Sequence, residues 1–104
     1  MLAIIVYKES TENITGGLYT DISYKTAALE VGENNILYYI PLVITGNTYQ
    51  DRKNNVRDKA IEYQNTYYDF CDYSYGELSV INEFFEKAGR RYGLLNEFTT
   101  NGII

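Results

Sequence analysis

Residues 36–51, ILYYIPLVITGNTYQD, decide the fold because the pattern of apolar side chains changes within them. The first part, residues 36–45, is a nearly continuous β-branched and aromatic run, which is typical of a buried strand. After Gly46 the apolar positions recur at helical spacing, and Thr48 is a suitable helix N-cap with an acid in the following turn. The chain therefore divides into a strand-rich half, residues 1–46, and a helical half, residues 47–104.

The strand-rich half is expected to supply three to four strands. Residues 2–7, LAIIVY, predict a strand that is buried on both faces. Residues 18–24 alternate between apolar and polar side chains, and they predict a second strand after a turn at Gly16–Gly17. Residues 27–31 either continue this strand or form a separate one. The GENN sequence of residues 32–35 predicts a hairpin loop before the next strand.

Pro41 interrupts the strongest of these predicted strands. It has no amide hydrogen to donate, so its position must face a sheet edge or a bulge. A bulge that the protein itself covers is the more frequent situation. An accessible edge would instead recruit another strand, including one from a second copy of the chain.

The second half is expected to form two helices. The first runs from Thr48 to about Phe70, and helical spacing places six side chains on its core face: Tyr49, Val56, Ala60, Tyr63, Tyr67 and Phe70. The second begins at Ser74, where Ser-Tyr-Gly-Glu has capping-box spacing, and it ends at Gly89 or Gly93. Its apolar stripe consists of Leu78, Ile81, Phe84, Phe85 and Ala88.

These elements together predict an α+β fold. An antiparallel sheet of three to four strands, residues about 2–45, is expected to pack against an antiparallel two-helix hairpin, residues about 49–92. The length of 104 residues and the hydrophobic share of 45% are typical of one globular unit. We therefore expect residues 1–104 to form a single domain.

The residue types limit the chemistry that the chain can carry. It has no histidine, which removes His-dependent nucleophiles, His-ligated zinc and the usual acid–base group near neutral pH. Cys71 is the only cysteine, and we expect it to be a buried structural residue. Asp69 with Asp72, and Glu83 with Glu86, have the spacing at which two carboxylates could hold a divalent metal ion on one helix face. A metal-dependent enzyme is therefore an alternative, but we expect no enzymatic activity, no cofactor and no metal site.

The charge and the lone cysteine indicate the surroundings of the protein. A net charge of −5 works against direct binding to nucleic acid or to an anionic membrane. The apolar run of residues 2–7 is too short for a signal peptide or a membrane span. A single cysteine gives no reason to expect an oxidising compartment, so a cytoplasmic location is expected.

An acidic, tyrosine-rich segment is the best indication of function. Between Ala60 and Glu86 the chain has six carboxylates, five tyrosines and no lysine or arginine. Such a segment projects a negative field, and exposed tyrosine rings are enriched at protein interfaces. We expect it to bind a basic protein surface through eight residues: Glu62, Tyr68, Asp69, Asp72, Tyr73, Glu77, Glu83 and Glu86.

Several functions fit this segment. In size, charge and composition the chain resembles phage and mobile-element proteins that block host defence, including anti-CRISPR and antirestriction inhibitors; no motif contributes to this resemblance. It implies an inhibitor whose carboxylates imitate nucleic-acid phosphates and occupy a basic groove on a nucleic-acid-binding protein. The alternative is a structural or regulatory subunit that forms a homodimer or docks on a related protein through its sheet edge or helical hairpin. A solvated acidic face without a partner is the remaining interpretation.

Overall fold

The computed structural model describes residues 1–70 and 72–104, except for the side chains of Tyr68 and Asp69. Three strands form the sheet, and their bounds are Leu2–Lys8 (β1), Ile14–Thr20 (β2) and Ile36–Pro41 (β3). The helices are Tyr24–Val31 (α1), Tyr49–Asp69 (α2), Tyr75–Tyr92 (α3) and Leu95–Thr100 (α4), and a 3-10 helix covers Glu33–Asn35. The predicted α+β fold class is confirmed. Cys71, expected to be buried, lies outside the described residues.

The first strand lies at the centre of the sheet. The strand order is β2-β1-β3, and both neighbours run antiparallel to β1. The four residues from Ala3 to Val6 are at most 2% exposed, which confirms that this strand is buried on both faces. Ile4 and Val6 pack in the main core with α2 and α3, whereas Ala3 and Ile5 pack with α1 on the other face.

The second strand begins earlier in the chain than the sequence pattern predicts. It starts at Ile14, so the expected turn at Gly16–Gly17 is wrong, and residues 9–13 connect it to β1, with the Glu9 amide donating to the Asn13 carbonyl at 3.0 Å. A Cβ atom at Gly16 would lie only 2.5 Å from the Ile5 carbonyl oxygen. Glycine is therefore needed here for close backbone approach within the sheet, not for a turn.

Residues between the second and third strands form a helix instead of a strand. Residues 27–31, expected to be extended, belong to α1, whose N-cap Ser23 accepts a hydrogen bond from the Thr26 amide. Gly32 ends this helix with a φ of 87°, a conformation that favours glycine. The expected hairpin loop at residues 32–35 is therefore wrong, because this segment joins a helix to a strand.

The third strand is shorter than predicted. It ends at Pro41 instead of residue 45 because its partner β1 begins at Leu2, which accepts a hydrogen bond from the Leu42 amide at 2.8 Å. Residues 42–48 continue without regular secondary structure to α2. Pro41 thus stands at the end of an edge strand, one of the two positions that its missing amide predicted.

The two long helices follow their sequence signals closely. Thr48 caps α2, Ser74 caps α3 with both hydrogen bonds of a capping box, and Gly93 ends α3 in the left-handed conformation. The predicted core face of α2 is partly wrong, since Tyr49 is 57% and Tyr67 41% exposed. In the described part of the chain, no helix has both the length and the apolar character needed to span a membrane.

Candidate protein-binding surface

A buried aromatic cluster holds the connection between α2 and α3. Tyr73 is 8% exposed, and its hydroxyl donates to Thr66 Oγ1 at 2.6 Å. Thr66 Oγ1 in turn donates to the Tyr63 carbonyl at 2.6 Å, and the Tyr63 ring stacks on Phe85 with centroids 5.4 Å apart. Burial raises the pKa of Tyr73 to about 12. The expectation that Tyr73 projects outward to a partner is therefore wrong, because its ring completes the core.

Glu77 links three parts of the fold. Its Oε1 accepts from the Ser74 amide at 2.9 Å, which closes the capping box, and its Oε2 accepts from the Leu18 amide of β2 at 2.7 Å. These backbone donors, Leu18 first, hold the pKa of Glu77 below its usual value. Both carboxylate oxygens are thus engaged, so the expectation that Glu77 meets a partner is corrected to a structural role.

The outward face of α3 forms a shallow depression of about 520 Å³. Among the described residues, its lining consists of Tyr75, Leu78, Ser79, Asn82, Glu83 and Glu86. They recur three and four positions apart, which places them on one face of the helix. Tyr75 is 91% exposed and stands at the first position of the helix, directly after the Ser74 cap.

The two carboxylates of this depression have cationic neighbours one turn later. Glu83 pairs with Lys87 at 2.8 Å, and Glu86 pairs with Arg90 at 2.7 Å. The Lys87 hydrogen bond lowers the pKa of Glu83. The negative field expected of this segment is therefore partly neutralised at these two positions. All four side chains are largely exposed, and pairs of this kind contribute little free energy, so an incoming partner can replace them.

The remaining predicted residues divide between exposed and undescribed side chains. Glu62 on α2 and Asp72 after it are exposed, and no ion pair holds either of them in the described part of the chain. The predicted binding side chains of Tyr68 and Asp69 lie outside the described residues. The structure thus places Glu83 and Glu86 in one depression and turns Tyr73 and Glu77 inward.

Sequence reasoning missed four residues of the depression, namely Tyr75, Leu78, Ser79 and Asn82. A signal was present, because the capping box fixes Ser74 as the N-cap and hence fixes the rotation of every later residue on α3. That rotation places Tyr75 on the same face as Asn82 and Glu86. The sequence prediction selected Tyr68 and Tyr73 together with the acids, and it left out Tyr75, the tyrosine that lies on this face.

Metal binding and similarity to known proteins add no further residues to this surface. No group of three or more Asp, Glu or Cys side chains suitable for a metal ion occurs among residues 1–67, 70 and 72–104, whose side chains are described. No protein-family model, curated protein or solved structure matches the chain.

Proposed function

We propose that this protein is a binding module that attaches to a basic protein surface through the outer face of α3. The depression on that face supports this proposal, because it combines a fully projecting tyrosine ring, Tyr75, with two carboxylates, Glu83 and Glu86. Tyrosine supplies a large contact area at low entropic cost, and carboxylates attract lysine and arginine from a partner. The net charge of −5 would accelerate encounter with such a partner.

The more specific form of this proposal is an inhibitor that occupies the nucleic-acid groove of a host-defence protein. Glu83 and Glu86 are separated by three residues, or about 4.5 Å along the helix axis. Phosphates of one DNA strand advance about 3.4 Å along the duplex axis per nucleotide, so the two axial spacings are similar. A chain that acts in this way would work in the cytoplasm. The ion pairs with Lys87 and Arg90 would have to open when the partner's cations arrive.

Affinity capture from the native host tests both forms. The tagged protein should retain a basic partner at low salt and lose it at high salt, because the attraction between exposed charges is screened. The double variant Glu83→Lys/Glu86→Lys should abolish capture, and Glu9→Lys/Glu12→Lys, which makes the same charge change at exposed positions between β1 and β2, should not. Equal capture by the two variants would contradict the proposed site.

Competition with nucleic acid separates the specific form from the general one. Short duplex DNA or RNA should release the captured partner if the protein occupies a nucleic-acid groove. Release by salt but not by nucleic acid would support a basic protein surface of another kind. No capture at any salt concentration would favour a solvated face without a partner.

Self-association through the sheet edge has less support. The Leu42 amide donates to β1, and successive residues of a strand point their backbone groups to opposite sides, so Pro41 and Tyr39 face away from β1. Pro41 offers no donor at this edge, and Glu77 occupies the Leu18 amide on the other edge strand. Short edges blocked in this way are typical of sheets that resist pairing. A dimer that persists at high salt in light scattering would favour self-association over binding of a basic partner.

A further inference from the structure

The opposite flank of α3 carries a second and chemically different surface. Three concavities of about 240, 180 and 270 Å³ follow one another between α3 and residues 42–48. The first and second share Phe84 and Lys87, and the second and third share Arg91. Because neighbouring concavities have these residues in common, they lie end to end, and we name them together the α3 groove.

The floor of the α3 groove is apolar. Leu2 and Leu42 line it at one end, and Ile44, Phe84 and Ala88 line it in the middle. Along α3 it extends from Val80 to Tyr92, a separation of twelve positions or about 18 Å at the rise of an α-helix. An extended peptide of five residues has the same length.

Cationic side chains line the groove from its middle to its far end. Lys87 and Arg91 contribute from α3, and Arg52 contributes from the start of α2. The Arg52 Nε donates to the Gly46 carbonyl at 3.2 Å, which holds that guanidinium beside the groove. Glu83 lines the other end and pairs with Lys87. Three cations against one carboxylate leave the groove positive, although the whole chain is acidic.

The wall opposite α3 offers free backbone groups. Residues 42–48 have no regular secondary structure, and the amides of Val43 and Ile44 make no hydrogen bond within residues 1–70 and 72–104. The side chain of Val43 is 42% exposed. A peptide laid along the groove could pair with the amide of Ile44, which lines the groove, as a strand added to a sheet edge does.

We propose that the α3 groove binds an extended acidic peptide in which apolar and carboxylate side chains alternate. Alternation sends one set of side chains to the apolar floor and the other set to the cationic rim. The positive rim distinguishes this ligand from the basic partner of the acidic flank. The two surfaces therefore bind partners of opposite charge.

A labelled peptide tests the groove directly. Fluorescence polarisation should detect binding of the alternating Glu-Leu-Glu-Leu-Glu pentapeptide and not of Lys-Leu-Lys-Leu-Lys. Arg91→Glu should weaken binding of the acidic peptide at least tenfold, since it places a like charge against the ligand. Arg90→Glu is the matched control: it makes the same change at the next position of α3, where the side chain pairs with Glu86 on the other flank, and it should leave affinity within about twofold.

Amide shifts in the unmodified protein provide a second measurement that does not depend on variant folding. Titration with the acidic peptide should move the resonances of Val43, Ile44 and Arg91 and leave those of Tyr75 and Asn82 unchanged. The proposal is overturned by absence of binding at about 1 mM peptide, by equal binding of the lysine peptide, or by shifts on the other flank alone. Equal loss in Arg90→Glu and Arg91→Glu would also overturn it.

Discussion

Replacement of Glu77 by glutamine should destabilise the protein far more than its position near the surface indicates. The carboxylate accepts two backbone hydrogen bonds, from Leu18 at 2.7 Å and from Ser74 at 2.9 Å. The glutamine side chain has one oxygen, which accepts hydrogen bonds, and one NH₂ group, which only donates. The NH₂ group must therefore face one of the two backbone amides, and that pair of donors has no acceptor between them. A hydrogen bond to a charged group contributes about 1.5–3 kcal/mol, and an unsatisfied partly buried amide adds to the loss.

We expect Glu77→Gln to lower the free energy of unfolding by about 2 kcal/mol, with an unchanged dependence on denaturant concentration. For a domain of this size the melting temperature should fall by about 10 °C. Urea unfolding followed by circular dichroism measures the free energy directly. Glu86→Gln is the matched control on the same helix, and because its ion pair with Arg90 is exposed the change should stay within about 0.5 kcal/mol.

The pH dependence of this difference provides the decisive check. The pKa of Glu77 is lower in the folded protein than its ordinary value of 4.5, so its stabilising effect is complete above that value. The effect is lost as pH falls through the folded pKa, because the carboxylate is then protonated in both states. The stability difference between the wild type and Glu77→Gln should therefore narrow below about pH 4.5. A difference below 0.5 kcal/mol at pH 7, or one that does not change with acidification, would refute this account of Glu77.

Three further predictions concern the core. Tyr73→Phe removes one buried hydroxyl hydrogen bond and should cost about 1 kcal/mol in chemical denaturation, whereas Tyr75→Phe at the exposed helix start should cost nothing measurable. Gly16→Ala places a Cβ 2.5 Å from a carbonyl oxygen of β1 and should lower the free energy of unfolding, measured in thermal melts, by about 1–3 kcal/mol. Gly76→Ala is the control: its Cβ meets no atom within 4 Å, so the change should be neutral or stabilising. Burial raises the pKa of Tyr63 and Tyr73 above the ordinary 10.0, so the unfolded chain ionises first and stability should fall as pH rises past about 10; constant stability between pH 9 and about 11 would contradict this.

Local signals explain which elements the sequence predicts well. The caps of α2 and α3 depend on residues three positions apart, and β1 is a dense apolar run, so neither requires knowledge of the rest of the fold. The second strand depends on a distant contact. The backbone of β1 lies so close to Gly16 that a Cβ atom would not fit there, and this neighbour cannot be inferred from the two glycines alone. The Gly16–Gly17 pair is therefore compatible with both a turn and a strand.

The candidate site shows the same difference between local signals, which the sequence reveals, and distant contacts, which it does not. Charge counting identified Glu83 and Glu86 correctly as exposed acids, but it could not distinguish them from Glu77, whose second partner is 59 residues away on β2. It also ended at residue 86 and so excluded Lys87 and Arg90, the cations one helical turn beyond. A segment chosen by sequence position alone therefore separated charged residues that the helix brings together.

The opposite signs of the two α3 flanks make the binding proposals independent of each other. Salt should weaken both interactions, so salt dependence alone cannot tell them apart. Reversing one charge at a time distinguishes the two interactions. Glu86→Lys removes an attraction for a basic partner and leaves the α3 groove unchanged, whereas Arg91→Glu removes an attraction for an acidic peptide and leaves the acidic flank unchanged. Glu83 lines both surfaces and is unsuitable for this purpose. If Glu86→Lys and Arg91→Glu each abolished capture of the same partner, that partner would have to contact both flanks. The two surfaces of α3 would then form one binding site.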